Sequence, residues 1–317
     1  MGIVPKFRKA ARTQCKASVV IDGLSGTGKT GLALALAYGL SGDWESIAAV
    51  DSENKSMDLY EGQMLHTGVR VGAFNVQDLT AEDGYKPSYF SAFRDEAIRL
   101  GYKALICDSI SHMWQYKGGV LDMVSEAQRK DPRANNYTVW GSAEISSEKN
   151  LIFAMIRHPK IHCINTLRVK EKMEMVAGDT GKMIVQSLGE QQIIAPDFKY
   201  EPDLVLSMLS PGDDSGRPPR VMVDKSRYSV FKVNEEYNMT AEIIEQLRLF
   251  LEEGISPEEL DEMQRVEYVN AIKERLDSNP SSKAVWEVLK EQAGVKGIQL
   301  KDIPLAKLKI LFSQLIA

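Results

Sequence analysis

Eight consecutive residues, Gly23-Leu24-Ser25-Gly26-Thr27-Gly28-Lys29-Thr30, fit the spacing G-x-x-x-x-G-K-[ST] at every fixed position. The chemistry of phosphate binding needs these residue types. Gly23, Gly26 and Gly28 let a loop turn tightly and aim backbone N–H groups inward as an anion nest, with Ser25 and Thr27 in the same loop. A helix starting near Gly28 adds its N-terminal partial positive charge. Lys29 is then the residue for the β- and γ-phosphates of a nucleotide, and the Thr30 hydroxyl takes a place on Mg²⁺. With glycine near 7% of residues, a chain of this length matches the pattern by accident about 1 time in 100.

Two further carboxylates suit the same chemistry. Leu105-Ile106-Cys107-Asp108 is an apolar run ending in an acid, and Asp108 is the second candidate to hold Mg²⁺. The bland alternative is an aspartate capping a turn. Ala49-Val50-Asp51-Ser52-Glu53 also ends an apolar run, and Glu53 is placed to orient or deprotonate a water attacking a γ-phosphate. Taken alone, that acidic cluster reads equally well as a solvated loop.

The elements that must position these residues alternate along the first 230 or so residues. Strands are expected at Ser18–Asp22, Ile47–Asp51, Val69–Phe74, Ala104–Asp108, Ile161–Leu167, Leu204–Leu209 and Arg220–Asp224. Helices are expected at Gly28–Leu40, Tyr89–Leu100 and Gly141–Arg157. The first of these is apolar nearly all round, as a helix packed on a sheet should be. The alternation predicts an α/β fold with a mainly parallel sheet between helices, its last two strands pairing antiparallel across the turn at Ser210–Pro219. From Thr240 the pattern becomes all-helical. Ser256-Pro257-Glu258-Glu259 is a helix start with a capping box, and helices are expected at Thr240–Glu253, Ser282–Ala293 and Leu305–Ile316. The division is therefore a core over 1–239 and a small helical module over 240–317. Leu305, Leu308, Leu311 and Leu315 make an apolar stripe, either for the module's own core or for a partner.

These pieces, in this order, resemble the RecA-like P-loop ATPases, over roughly Cys15 to Val233. In that family the second strand ends in Asp-x-Glu, here Asp51-Ser52-Glu53, which implies Glu53 as the catalytic glutamate. The strand ending in Asp108 continues into Asp-Ser, here Asp108-Ser109-Ile110-Ser111. The next strand reads Ile-Asn-x-x-Arg-x-Lys, here Ile164-Asn165-Thr166-Leu167-Arg168-Val169-Lys170. The family's γ-phosphate-sensing glutamine corresponds to Thr166, a departure with a shorter reach. Asp224-Lys225-Ser226-Arg227 resembles the Lys-x-Arg pair that ring- and filament-forming relatives insert into a neighbour's site, which implies Arg227 as a finger and Lys225 as its companion. The alternative is a solvated strand end. The whole chain looks most like the phage-encoded AAA-family ATPases of the Sak type, including the run Asp108-Ser109-Ile110-Ser111-His112-Met113-Trp114. That likeness implies ATP and Mg²⁺ as ligands and single-stranded DNA as partner. It also implies self-association into a ring or filament, contact with a single-strand-binding or other replication protein, and the cytoplasm of a phage-carrying bacterial cell.

In such proteins DNA is held by two loops. The first falls here in Gln115–Tyr137, with Lys117, Arg129, Lys130 and Arg133 for phosphates and Tyr116 and Tyr137 for stacking. The second spans Lys170–Gln191, with Lys170, Lys172 and Lys182, and with Arg168 just before it, as candidate DNA contacts. It reads equally as a β-hairpin around Ala177–Gly181. His112 is either a relay between nucleotide and DNA or a packed histidine.

Composition bounds the remaining choices. The 317 residues are 44% hydrophobic and 26% charged, ordinary globular values. No apolar run approaches 18 residues, no secretory h-region follows the basic N-terminus, and no myristoylation motif is present. Three cysteines form neither a disulfide framework nor a metal spacing, which suits a reducing compartment. The net charge of −5 confines any nucleic-acid contact to local basic patches. It leaves open a second reading, an ATP-gated regulator or scaffold that acts on a protein partner without DNA. A metabolite kinase fits less well, because no Arg-rich lid is visible.

Overall fold

The computed structural model describes residues 10–177, 183–212 and 217–316. The chain runs β1 (Ser18–Gly23), α1 (Lys29–Ser41), β2 (Ile47–Asp51), β3 (Asn75–Asp78), α2 (Pro87–Leu100) and β4 (Ala104–Asp108). It continues through α3 (His112–Gln115), α4 (Val120–Lys130), α5 (Asn136–Trp140), α6 (Ala143–Ala154), β5 (His162–Ala177) and β6 (Met183–Gln192). Then come β7 (Leu204–Ser210), β8 (Arg220–Ser226), β9 (Glu236–Asn238), α7 (Ala241–Glu252), α8 (Pro257–Ser278), α9 (Pro280–Gln292) and α10 (Leu305–Leu315).

Strand order is β3-β2-β4-β5-β1-β7-β8-β9, with β6 paired to β5 off this path. The six strands from β3 to β7 are parallel, whereas β8, β9 and β6 each join antiparallel. The fold is thus α/β with a mostly parallel, mixed sheet. Side chains alternate across β1: Val19 and Ile21 pack with Leu32 and Leu36 of α1 on one face. Val20 packs with Phe90 of α2 and Ile152 of α6 on the other. α1 is buried around most of its circumference because α7 covers its outer side. A Cβ at Gly39 would lie 2.3 Å from Ile244 Cγ2 of α7, so only glycine permits this crossing.

Most expected elements are present, with end shifts of a few residues, except that the strand expected to end at Leu167 runs on to Ala177. The expected strand at Val69–Phe74 is not one. The edge strand β3 lies later, at Asn75–Asp78, and residues 64–71 form a turn in which Met64 bridges Arg70. The segment expected as a first DNA loop is largely helical, because Val120, Met123 and Val124 recur at helical spacing and bury one face of α4. The second expected loop is the β5–β6 hairpin, its tip at 178–182 outside the described residues.

The chain divides into two compact units, Cys15–Leu251 and a helical one made of 10–14 with 252–316 among the described residues. The division falls at 251/252, not 239/240, because Ile244, Leu247 and Leu251 bury α7 in the first core. In the helical unit the capping box forms as expected: Glu259 N–H donates to Ser256 Oγ at 3.1 Å and Ser256 N–H to Glu259 Oε2 at 2.9 Å. Leu308, Leu311 and Leu315 pack with Ile272, Trp286 and Ile303, so the α10 stripe serves its own core, with Leu305 half-buried at its start. Among the described residues, no helix is long and apolar enough to cross a membrane.

Candidate functional site

Register brings the expected residues to one edge. β2, β4, β5 and β1 are consecutive neighbours, with Asp51 opposite Asp108, Cys107 opposite Asn165, and Gly23 opposite Arg168. The Gly23–Thr30 loop, Glu53, Asp108, Thr166 and Arg168 therefore all lie at the carboxyl ends of parallel strands, where open α/β sheets bind ligands.

The loop leaves β1 at Gly23 and enters α1 through Gly28, whose φ of 85° caps the helix in the left-handed region. Ser25 is exposed, and Thr27 Oγ1 donates to the Leu24 carbonyl at 2.8 Å. Lys29 Nζ folds back on the loop, donating to the carbonyls of Gly23 at 2.9 Å and Leu24 at 2.7 Å. Burial lowers the Lys29 pKa, and the charges of Asp108 and Glu53 oppose that shift. Thr30 Oγ1 donates to Asp108 Oδ2 at 2.5 Å.

Asp108 is nearly fully buried, and its second oxygen accepts from the Thr166 hydroxyl. Burial raises its pKa, the two hydroxyl bonds opposing. Thr166 is fully buried and its hydroxyl is committed to Asp108, so in this state it helps hold the carboxylate in place of sensing a phosphate. The Asp108–Ser109 peptide is cis.

Asp51 shapes the turn that carries Glu53. It is buried, and its Oδ1 accepts from Glu53 N–H at 2.6 Å while Oδ2 accepts from Met57 N–H at 2.8 Å. Glu53 is then gripped by Arg168: Nε donates to Oε1 at 2.7 Å and Nη2 to Oε2. Arg168, a candidate DNA contact just before the second loop, is instead turned into the site. Its Nη1 donates to the Tyr116 hydroxyl at 2.6 Å, and its backbone N–H to Ser111 Oγ at 2.9 Å.

Behind this pair lies a buried aromatic group. His112 stacks on Tyr85 with ring centroids 4.8 Å apart and meets the edge of Tyr116 at 4.3 Å. Its Nδ1 lies 2.5 Å from Ser52 Oγ, and Ser52 in turn accepts from Ser109 N–H at 2.8 Å. Burial pushes the His112 pKa down to about 4. His112 is thus packed, yet it belongs to the network that joins the ends of β2 and β4. Tyr60 stands on the other side, its ring beside Gly31, and burial raises its pKa. Sequence reasoning missed Tyr60 and Tyr85, because no motif spacing marks them; Tyr116, expected to stack on DNA, instead hydrogen-bonds Arg168, and Ser111, quoted only within its motif, holds the Arg168 backbone.

Lys225 and Arg227 are elsewhere. Arg227 N–H donates to the Asp203 carbonyl, and Asp203 N–H donates to the carbonyl of Ser18, where β1 begins. Arg227 therefore lies at the amino edge of the parallel sheet, opposite the Gly-rich loop. Its side chain pairs with Asp203 at 3.2 Å, and Lys225 Nζ donates to the Tyr200 carbonyl at 2.6 Å. One chain does not bring this pair to the site.

Lys117, Arg129, Lys130 and Arg133 are exposed in and around α4, as is Tyr137. Arg129 faces Asp122 and Glu126, each at 3.9 Å. Lys170 is exposed on β5. Lys182 lies outside the described residues, as does the side chain of Lys172. No family model matches the chain, and no curated protein matches it either.

Proposed function

We propose that this chain is a Mg²⁺-dependent ATPase of the RecA-like class that acts on single-stranded DNA in phage-type recombination, annealing or replication. The observation that carries the reading is the convergence of Lys29, Thr30, Asp108 and Glu53 at one strand edge, at the start of α1. The loop N–H groups and the helix start bind the phosphates. Lys29 exchanges the carbonyls of Gly23 and Leu24 for β- and γ-phosphate oxygens.

Thr30 and Asp108 fit Mg²⁺, because they bring two hard oxygens together in a buried place. Among the described residues no group of three or more acidic, His or Cys side chains stands ready for a metal. The rest of the shell is left to phosphate and water, the usual arrangement for Mg²⁺ in nucleotide sites. Thr30 and Asp108 would hold Mg²⁺, which when bound would supply positive charge to the phosphates. Glu53 orients the attacking water and takes its proton. The water oxygen bonds to the γ-phosphorus while the bridging oxygen leaves with ADP. For that, Arg168 must give up at least one of its two bonds to Glu53. Arg227 and Lys225 supply positive charge from a neighbouring subunit of a ring or filament.

DNA lies against the exposed basic residues of α4 and Lys170 of the hairpin, with Tyr137 for stacking. The second reading, an ATP-gated regulator of a protein partner, is favoured by exposed apolar side chains on the helical unit: Met263, Val266, Val285, Val288 and Ile310. Steady-state ATP hydrolysis by wild type and Lys29→Ala, with and without single-stranded DNA at low and high salt, separates the two. Turnover that rises with DNA, falls with salt and vanishes in Lys29→Ala supports the DNA-dependent ATPase. Turnover indifferent to DNA, with none retained at low salt, supports the regulator.

A further inference from the structure

The amino edge of the sheet, opposite the Gly-rich loop, carries one carboxylate with two guanidinium groups on it. Asp203 Oδ1 accepts from Arg227 Nη1 at 3.2 Å and also from Arg157 Nη2. The Asp203 side chain is 13% exposed, against 56% for Arg227 and 48% for Arg157. The carboxylate is anchored, whereas both arginine side chains stand about half in water. Asp203 N–H donates to the Ser18 carbonyl at 3.2 Å. The Tyr228 hydroxyl accepts from Ser18 N–H at 3.0 Å and reaches Asp203 Oδ2 at 3.4 Å.

One acceptor oxygen shared by two like charges is more than the pairing of Asp203 needs. Lys225 lies in the same crowd. Burial is the first cause that lowers its pKa, the charge of Arg227 is the second, and Arg157 adds to them against Asp203 and Glu201. One guanidinium is enough to neutralise Asp203. The second changes the cost of taking the first away. A largely buried carboxylate stripped of its last cation is strongly disfavoured. A carboxylate that keeps one cation avoids that cost.

We propose that Asp203 is a holding carboxylate for Arg227 and that Arg157 is a positioning residue, which stays on Asp203 when Arg227 leaves for the nucleotide phosphates of a neighbouring copy of this chain. The role of Arg157 rests on the reading of Arg227 as a finger in that copy's site. It adds how the finger is kept in the free chain and why it can be given up. Without Arg157, the departure of Arg227 leaves Asp203 bare, and the equilibrium moves to the held state. A smaller released fraction lowers turnover in proportion. The charge on Asp203 is what makes Arg157 matter, so removing that charge makes Arg157 dispensable.

The test is steady-state ATP hydrolysis by the full chain in a double-mutant cycle, with kcat and KM read separately and folding judged by melting curves. Arg157→Gln should lower kcat about tenfold and leave the KM for ATP within about twofold, because the finger acts in the transition state. Asp203→Asn keeps the shape of the side chain and should turn over at least as fast as wild type. In the Asp203→Asn background, Arg157→Gln should change kcat by less than about twofold. An equal fall in both backgrounds overturns the role of Arg157, and so does a wild-type kcat in Arg157→Gln. Should Arg157→Gln fail to fold, Asp203→Asn decides: a kcat more than about threefold below wild type overturns the holding carboxylate. Arg227→Ala separates the two levels. Full turnover in that variant, or none in wild type, overturns the finger itself and the role of Arg157 with it. A large loss in Arg227→Ala beside an unaffected Arg157→Gln overturns the role of Arg157 and leaves the finger standing.

Discussion

Arg168 holds both carboxylate oxygens of Glu53, although the two residues are 115 positions apart in the chain. A bidentate guanidinium pair is geometrically specific, and this one is only partly exposed, at 35% and 22% of the two side chains. While the pair stands, Glu53 presents no free lone pair along those directions to a water. If Glu53 is the base, Arg168→Ala should raise DNA-independent ATP turnover about fivefold, the equivalent of roughly 1 kcal/mol of ion pair. DNA stimulation should shrink to match. Glu53→Gln should lower turnover about 100-fold or more in either background. Phosphate release with and without DNA checks both. A fall in the basal rate of Arg168→Ala would show instead that Arg168 works on the substrate.

Asp108 is almost fully buried, and burial disfavours its ionised form. Its folded pKa lies above the unfolded value, so the charge carried at pH 7 opposes folding. Asp108→Asn removes that charge and keeps an oxygen for Thr30 or Thr166. The variant should melt about 2–4 °C higher without ligand, for roughly 1 kcal/mol gained. It should also lose Mg²⁺-dependent turnover. Thermal melts and phosphate release on one preparation test the opposed effects, and a lower melting temperature would refute the electrostatic argument.

The histidines set an acid limit. Burial pushes His112 down to about 4 and His162 down to about 3, against an ordinary value near 6.5. His162 Nδ1 accepts from Ala17 N–H at 3.0 Å, which requires the neutral ring. Below pH 6.5 the unfolded chain binds protons that the folded chain refuses, so stability falls as pH drops. The loss is roughly 2 kcal/mol per histidine by pH 5. The raised carboxylates Asp22, Asp51 and Asp108 act in the opposite sense over the same range. The comparison must therefore be made against a histidine variant. Denaturant melts from pH 7.5 to 5 should show a shallower decline for His162→Gln than for wild type.

How much of this was legible in the sequence depends on distance along the chain. Ile47–Asp51 and Ala104–Asp108 are read correctly to the residue, because an apolar run closed by a carboxylate is a local signal. The capping box of Ser256 and Glu259 is local too. Val69–Phe74 misleads, since its apolar residues pack a turn and the edge strand that follows is half-exposed. Arg168 lies in the right motif but its direction was illegible: its partners Glu53 and Tyr116 come from other strands and loops. The same holds for Thr166, whose burial follows from its place in β5 between β4 and β1.

The helical unit is held by a small core, so one large side chain should matter there. Trp286 is almost fully buried among Ile272, Ile303 and Leu308. Trp286→Ala should cost about 3–5 kcal/mol. Hydrogen exchange read by mass spectrometry should show lost protection across α8, α9 and α10. Unchanged exchange there would mean that the cluster contributes little to order.

Arg227 cannot serve the site of its own chain while it stays at the amino edge of the sheet, paired with Asp203. If it acts at all, it acts on a neighbour, and subunit mixing tests this. On the proposed reading, Lys29→Ala lacks the phosphate ligand, and Arg227→Ala lacks the finger. Each alone should fall to a few per cent of wild-type turnover or less, given that fingers contribute about 10³-fold or more in phosphoryl transfer. Mixed in equal amounts, a subunit with intact Lys29 meets a neighbour with intact Arg227 at about one interface in four. Turnover should recover toward that fraction after mixing. No recovery, with subunit exchange verified by labelled chains, would remove Arg227 from the reaction.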